Sequence, residues 1–125
     1  MQIFSIASQR AQWLSAKLGV IAGNVANAST PGFHAREVTP FSAVLKQQQV
    51  HMVRTHPAHL NIAGGTTPVR FEVREAEPAL STHSGNTVEL EKEMLEGAET
   101  VRAFRLNNGI IRAWHQMCLL ALKDG

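Results

Sequence analysis

The stretch Asn24-Val25-Ala26-Asn27-Ala28-Ser29-Thr30-Pro31-Gly32-Phe33 holds the turning point of the chain. Proline disfavours helical geometry in the residue before it, so a helix arriving from the N-terminal side stops here. Asn24 and Asn27 carry short amides that cap or bridge backbone groups at a helix end. Pro31-Gly32 suits the centre of a type II turn, where proline presets the first central residue and glycine takes the positive φ of the second. Phe33 would fold back as an apolar anchor. Taken alone, the stretch says that a helix ends and the chain turns.

Upstream of it, Phe4, Ala7, Ala11, Leu14, Leu18, Ile21, Val25 and Ala28 recur at spacings of three and four. That stripe predicts a helix over residues 1–28 with a coiled-coil-like seam. The back of this helix is unusual. Gln12, Ala16, Gly19, Gly23 and Ala26 follow one another there, where a solvated face would carry Lys and Glu. Each glycine costs about 1 kcal/mol against alanine in a helix interior. Two readings are open: a face that lets another backbone approach closely, or a weak helix frayed near Gly23. On the first, Ala16, Gly19 and Gly23 are candidate interface residues.

Downstream, residues 29–86 form an irregular middle. Thr39-Pro40 predicts an N-cap and first helical position, followed by a short helix with Phe41, Val44 and Leu45 on one face. Gln47, Gln48 and Gln49 belong to the surface. Residues 64–68 read as a loop. Val69, Phe71 and Val73 alternate with Arg70, Glu72 and Arg74, the pattern of a half-buried strand. A last helix spans residues 87–123, opened by Asn86 as N-cap with Glu89 three residues on. Leu90, Met94, Gly97, Val101, Phe104, Asn108, Ile111, His115, Cys118 and Leu122 form one stripe on it. Ala103, Leu106, Ile110, Ala113, Met117 and Leu120 form a second, so the helix needs partners on two sides. Leu106, Ile110 and Met117 join the candidate interface. The expected fold is therefore mainly α: long N- and C-terminal helices pairing as a coiled-coil-like bundle, a short helix, and a partly irregular middle with a short strand.

The 125 residues suit one domain, 44% of them apolar and 18% charged. The charged share lies below the roughly 25% of an average soluble protein. The net charge of +2 is too small to argue for nucleic acid. Residues 1–36 and 100–123 contain bases and no acid, whereas residues 89–99 contain five glutamates and one lysine. Helix-dipole compensation and complementary docking between subunits both account for this. Cys118 is alone, which excludes an internal disulfide. Residues 1–10 lack the features of a secretory signal, and no apolar run reaches the ~18–20 residues of a membrane span.

The chemistry-bearing residues converge nowhere. His51, His56 and His59 lack the spacing and the cysteines of a zinc site. Glu91 and Glu93 point apart on a helix and read as its solvated start. No nucleophile elbow or phosphate loop is present. Catalysis, cofactors, metals and small-molecule substrates are not expected. Trp13 and Trp114 read as packing anchors or interface hot spots.

The motif of residues 24–33 closely resembles the signature near the N-terminus of flagellar axial proteins, the rod, hook and hook-associated subunits. Asn24, Ala26, Asn27, Thr30, Pro31, Gly32 and Phe33 stand at its positions. Phe33 replaces a common tyrosine and Ser29 a common asparagine. Ala35-Arg36-Glu37-Val38, Thr55-His56-Pro57-Ala58-His59 and the run from Gly85 to Met94 are similar to a short proximal-rod subunit. The resemblance implies a structural subunit of the bacterial flagellar basal-body rod. Such a subunit leaves through the flagellar type III apparatus without a cleaved signal peptide and polymerises in the periplasmic rod through its terminal helices to transmit torque. Its partners would be itself, other flagellar rod subunits, and basal-body and export-gate components. The alternative is a helical dimeric DNA-binding or regulatory module. That would need a helix rich in Arg and Lys, and the first helix has only two such residues, Arg10 and Lys17.

Overall fold

A computed structural model of the chain describes residues 2–48, 70–78 and 80–123. The first stripe folds as α1, Gln2–Ala26, and residues 27–32 turn out of it. A short strand, β1 (Arg36–Val38), then leads into α2 (Phe41–Gln48). β2 (Val73–Glu75) pairs antiparallel with β1, and α3 (Leu90–Lys123) closes the chain. The architecture is mainly helical, as the periodicity predicts. His51, His56, His59, Gln49, Val69, residues 55–59 and the loop 64–68 lie outside the described residues.

α1 and α3 pack antiparallel. Asn24 meets Glu93, Lys17 meets Glu96 at 3.6 Å, and Asn107 meets Ala7, so numbers fall on one helix as they rise on the other. A Cβ added at Gly97 would sit 3.6 Å from the Ile21 side chain, which marks where the helices touch. Leu14 and Ile21 are buried in this seam. Leu18 and Val25, expected beside them, are exposed, and Asn24 takes the inner place. A strict seven-residue repeat drifts by about 20° per heptad around a helix of 3.6 residues per turn. The apolar row therefore rotates out of the contact by the third heptad.

The seam on α3 departs further from expectation. Its buried residues are Glu93, Thr100 and Asn107, seven apart and all polar. Gly97, Val101, Asn108 and Ile111 of the first stripe flank them half-buried. Leu90, Met94 and Phe104 are exposed, because Glu93 is drawn inward by Asn24 and fixes the rotation of the helix start. His115, Cys118 and Leu122 are exposed for another reason. Asn107 already lies against Ala7, so residues 112–123 run past the end of α1.

The middle anchors to α1 through Trp13. Its indole N–H donates to the Thr39 carbonyl at 2.8 Å, and its ring lies 5.8 Å from that of Phe41. Val44 is buried behind this contact. α2 starts at the expected place, with Ala43 N–H donating to the Pro40 carbonyl at 2.9 Å. Thr39 does not cap it: its hydroxyl and its N–H both donate to the Glu72 carbonyl, continuing the two-stranded ladder. The expected half-buried strand is displaced. β2 is exposed along its whole length: β1 pairs with one edge, and among the described residues its faces are not buried. Val38 supplies the buried apolar side chain, and Glu37 opposite Arg74 forms an ion pair at 2.7 Å.

Candidate assembly interface

The turn after α1 is built from its own sequence. The Phe33 N–H donates to the Thr30 carbonyl at 3.3 Å around Pro31-Gly32, and Gly32 has φ 72°. Those are the closure and the positive φ of a type II turn. The Asn27 amide donates back to the Gly23 carbonyl at 2.8 Å, and the Thr30 hydroxyl donates to Asn27 Oδ1 at 3.2 Å. Gly32 N–H donates to the Ser84 carbonyl at 2.9 Å. Gly85, with φ 79°, lies against it: a Cβ there would sit 3.6 Å from Gly32 Cα. Two left-handed glycines thus meet back to back where the chain leaves α1 and approaches α3.

Two buried asparagines hold this junction. Asn24 is 1% exposed. Its amide donates to the Arg36 carbonyl at 2.8 Å and to Glu93 Oε1 at 3.1 Å, while its Oδ1 accepts from Arg36 N–H at 2.9 Å. One side chain therefore joins α1, β1 and α3. Asn86 is 2% exposed. Its amide donates to the carbonyls of Asn27 and Thr30 at 2.9 and 2.8 Å, and its Oδ1 accepts from Val88 N–H at 2.8 Å. The capping box expected of Asn86 and Glu89 does not form, because the Asn86 Oδ1 accepts from Val88 N–H two residues on and α3 starts only at Leu90. Thr87 completes the junction: its N–H donates to the Phe33 carbonyl and its hydroxyl accepts from Ala35 N–H at 2.9 Å. Every donor of these amides has a partner, as burial requires. The signature positions Asn24, Asn27, Thr30, Gly32 and Phe33 are brought together; Ala26 and Pro31 stay on the surface.

Glu93, expected at the surface, lies buried in this network. Burial raises its pKa above the ordinary carboxylate value. The Asn24 amide acts the other way, Glu96 adds to the rise, and Lys92 and Lys17 oppose it. Further along the seam, the Thr100 hydroxyl donates to the Glu96 carbonyl at 2.6 Å and the Asn107 amide to the Ala7 carbonyl at 2.9 Å. The sign in the sequence was a polar row at heptad spacing, which a search for apolar periodicity passes over.

Two surfaces stand apart from the seam. Ala16, Gly19 and Gly23 line a shallow groove of about 600 Å³ with Phe33, Arg36 and Val73. A Cβ at Gly19 or Gly23 would meet nothing within 4 Å. On α3, Leu106, Ile110 and Met117 are 63%, 51% and 54% exposed. Among the described residues, no group of three His, Cys, Asp or Glu side chains could hold a metal ion, and no helix is long and apolar enough to cross a membrane.

Paired terminal helices, closed by an Asn-rich turn through Thr-Pro-Gly, thus leave apolar faces open on α1 and α3. A family model described as flagella basal body rod protein matches residues 4–34. The chain is 42% identical over 132 residues to the flagellar basal body rod protein FlgB of Agrobacterium fabrum, covering 98% of this chain and 94% of that protein. It is 28% identical over 104 residues to the protein of that name in Cereibacter sphaeroides, covering 83% and 80%. Against that of Escherichia coli K12 it is 29% identical over 96 residues, covering 70% and 69%. The chain belongs to the flagellar basal body rod protein family. It is a structural rod subunit and not an enzyme, and nothing in these relatives supports a DNA-binding module.

Proposed function

We propose that this rod subunit polymerises through the two faces that the α1–α3 pair leaves open, the small-residue groove of Ala16, Gly19 and Gly23 and the row of Leu106, Ile110 and Met117, and transmits torque through its terminal helices. Membership of the family implies assembly with other rod and basal-body components. The likeness to axial proteins extends the reading to a periplasmic position, to contact with the export gate, and to type III export without a cleaved signal peptide. The observation that carries the proposal is the open space over Gly19 and Gly23 on the side of α1 turned from α3. Glycine lowers helix stability there without serving any contact among the described residues, and an approaching neighbour accounts for it.

The test is Gly19→Leu and Gly23→Leu in a strain lacking this subunit. Both variants are expected to stay soluble and to be exported, because a Cβ at either position meets nothing within 4 Å among the described residues. Both are expected to block rod assembly and motility. Motility restored by both would show that the groove is not an interface.

A further inference from the structure

We infer that the polar pairs of the seam act as a rotational lock: they decide which side of α3 meets α1, and so keep the row of Ala103, Leu106, Ile110 and Met117 turned outward. The lock is a property of the single chain; what the row does once outward rests on the reading of it as an interface.

α3 has two sides that could close on α1. One is the buried row of Glu93, Thr100 and Asn107. The other lies about a third of a turn around the helix, at 3.6 residues per turn. Lys92, Glu99 and Arg102 stand along its first turns, but from Ala103 onward it is uncharged, because Arg105 and Arg112 lie off it. Leu106, Ile110 and Met117 are exposed there. The surface that α1 offers does not favour the polar row. Asn107 meets Ala7, so residues 103–110 run past Phe4, Ala7 and Ala11, all apolar. Hydrocarbon burial alone would set Leu106 and Ile110 against them and leave Asn107 in water.

Asn24 reverses that choice. It is buried and donates two amide hydrogens, one to the Arg36 carbonyl and one to Glu93 Oε1. Rolling α3 by a third of a turn takes Glu93 away and brings Leu95 toward the place it leaves. The second hydrogen then lies buried without an acceptor, and a buried hydrogen bond left unmade costs more than a made one contributes. At the other end of the seam, Asn107 donates to the Ala7 carbonyl. The two links stand about 21 Å apart along α3 at 1.5 Å per residue, so together they fix rotation and register. Single buried polar residues select one arrangement of paired helices in the same way, at a cost in stability.

Single thiols read the rotation in the full chain. In a Cys118→Ser background, Thr100→Cys reports on the seam and Leu106→Cys on the row, each labelled with a maleimide in a monomer verified by sedimentation. With the lock intact, the row reporter is expected to react at least about tenfold faster than the seam reporter. Adding Glu93→Ala with Asn107→Ala is expected to reverse that order. Adding Glu93→Gln, which keeps an oxygen for the Asn24 amide, is expected to preserve it. Asn107→Ala alone leaves the Asn24 junction whole and is expected to narrow the gap from both sides, the row slower and the seam faster. Unfolding speeds both reporters and cannot slow the row. A row reporter that slows in neither alanine variant would therefore overturn the inference, as would reversal by Glu93→Gln. A chain that reverses the order and still restores full motility would leave the lock standing and remove the row from the assembly surface.

Discussion

At Asn24, one side chain of a turn motif settles the geometry of three elements. Its partner Glu93 stands 69 positions away, among Glu91, Lys92 and Glu96 in a charged helix start. Read by periodicity, Glu93 belongs to a solvated helix start; burial beneath Asn24 overrides that reading, since a long-range hydrogen bond leaves no local pattern. The pair has a consequence for pH. Glu93 keeps its proton to higher pH in the folded chain than in the unfolded one, chiefly because burial disfavours the charge. Between the ordinary carboxylate value and the raised value, the folded state binds more protons. Stability is therefore fullest at or below the ordinary value and falls as pH rises through that window. Glu93→Gln keeps an oxygen for the Asn24 amide and carries no charge. It is expected to be more stable than wild type at neutral pH and to flatten the fall, measured as urea midpoints between about pH 4 and pH 8. An unchanged slope would place the ionised carboxylate in water.

At the scale of the elements, α1 and α3 were legible because periodicity over 25 and 34 residues leaves little choice of structure. The turn was legible because Pro31-Gly32 admits few conformations. β2 was legible as a strand near Val73 but displaced from its alternation; β1, three residues long, gave no alternation to count, and the pairing of the two joins distant segments. The rotation of α3 was half legible: the first stripe locates Gly97 and Ile111 beside α1, while Glu93, Thr100 and Asn107 hold the centre. Two adjacent residues test that rotation. Ile111 is half-buried beside α1 and Ile110 lies exposed on the opposite row. Ile111→Asp is expected to weaken the helix pair by about 1–3 kcal/mol, and Ile110→Asp to change it by less than about 0.5 kcal/mol. A disulfide between cysteines engineered on the facing sides of α1 and α3, in a Cys118→Ser background, reads the pairing. Equal loss of that crosslink in both variants would mean that α3 buries one broad face.

In the whole molecule, the buried apolar side chains are few: Leu14, Ile21, Ala35, Val38 and Val44 among the described residues. Much of the hydrocarbon lies outside, on the groove side of α1, the outer row of α3 and the overhang. Backbone order costs about 1–2 kcal/mol per residue, and residues 112–123, exposed throughout, bury little to offset it. Their amides are expected to exchange with solvent much faster than those of residues 93–111 in a verified monomer, and to become protected on assembly. Equal protection across α3 in the monomer would contradict this. The polar seam has a thermal consequence as well. Exposing hydrocarbon raises heat capacity and exposing amide, hydroxyl and carboxyl groups lowers it, so opening this hairpin raises heat capacity less than opening an all-apolar seam of the same length. Its stability curve is correspondingly flatter. Covering the outer apolar rows in the rod adds the larger share of hydrocarbon burial, and with it the sharper temperature of greatest stability.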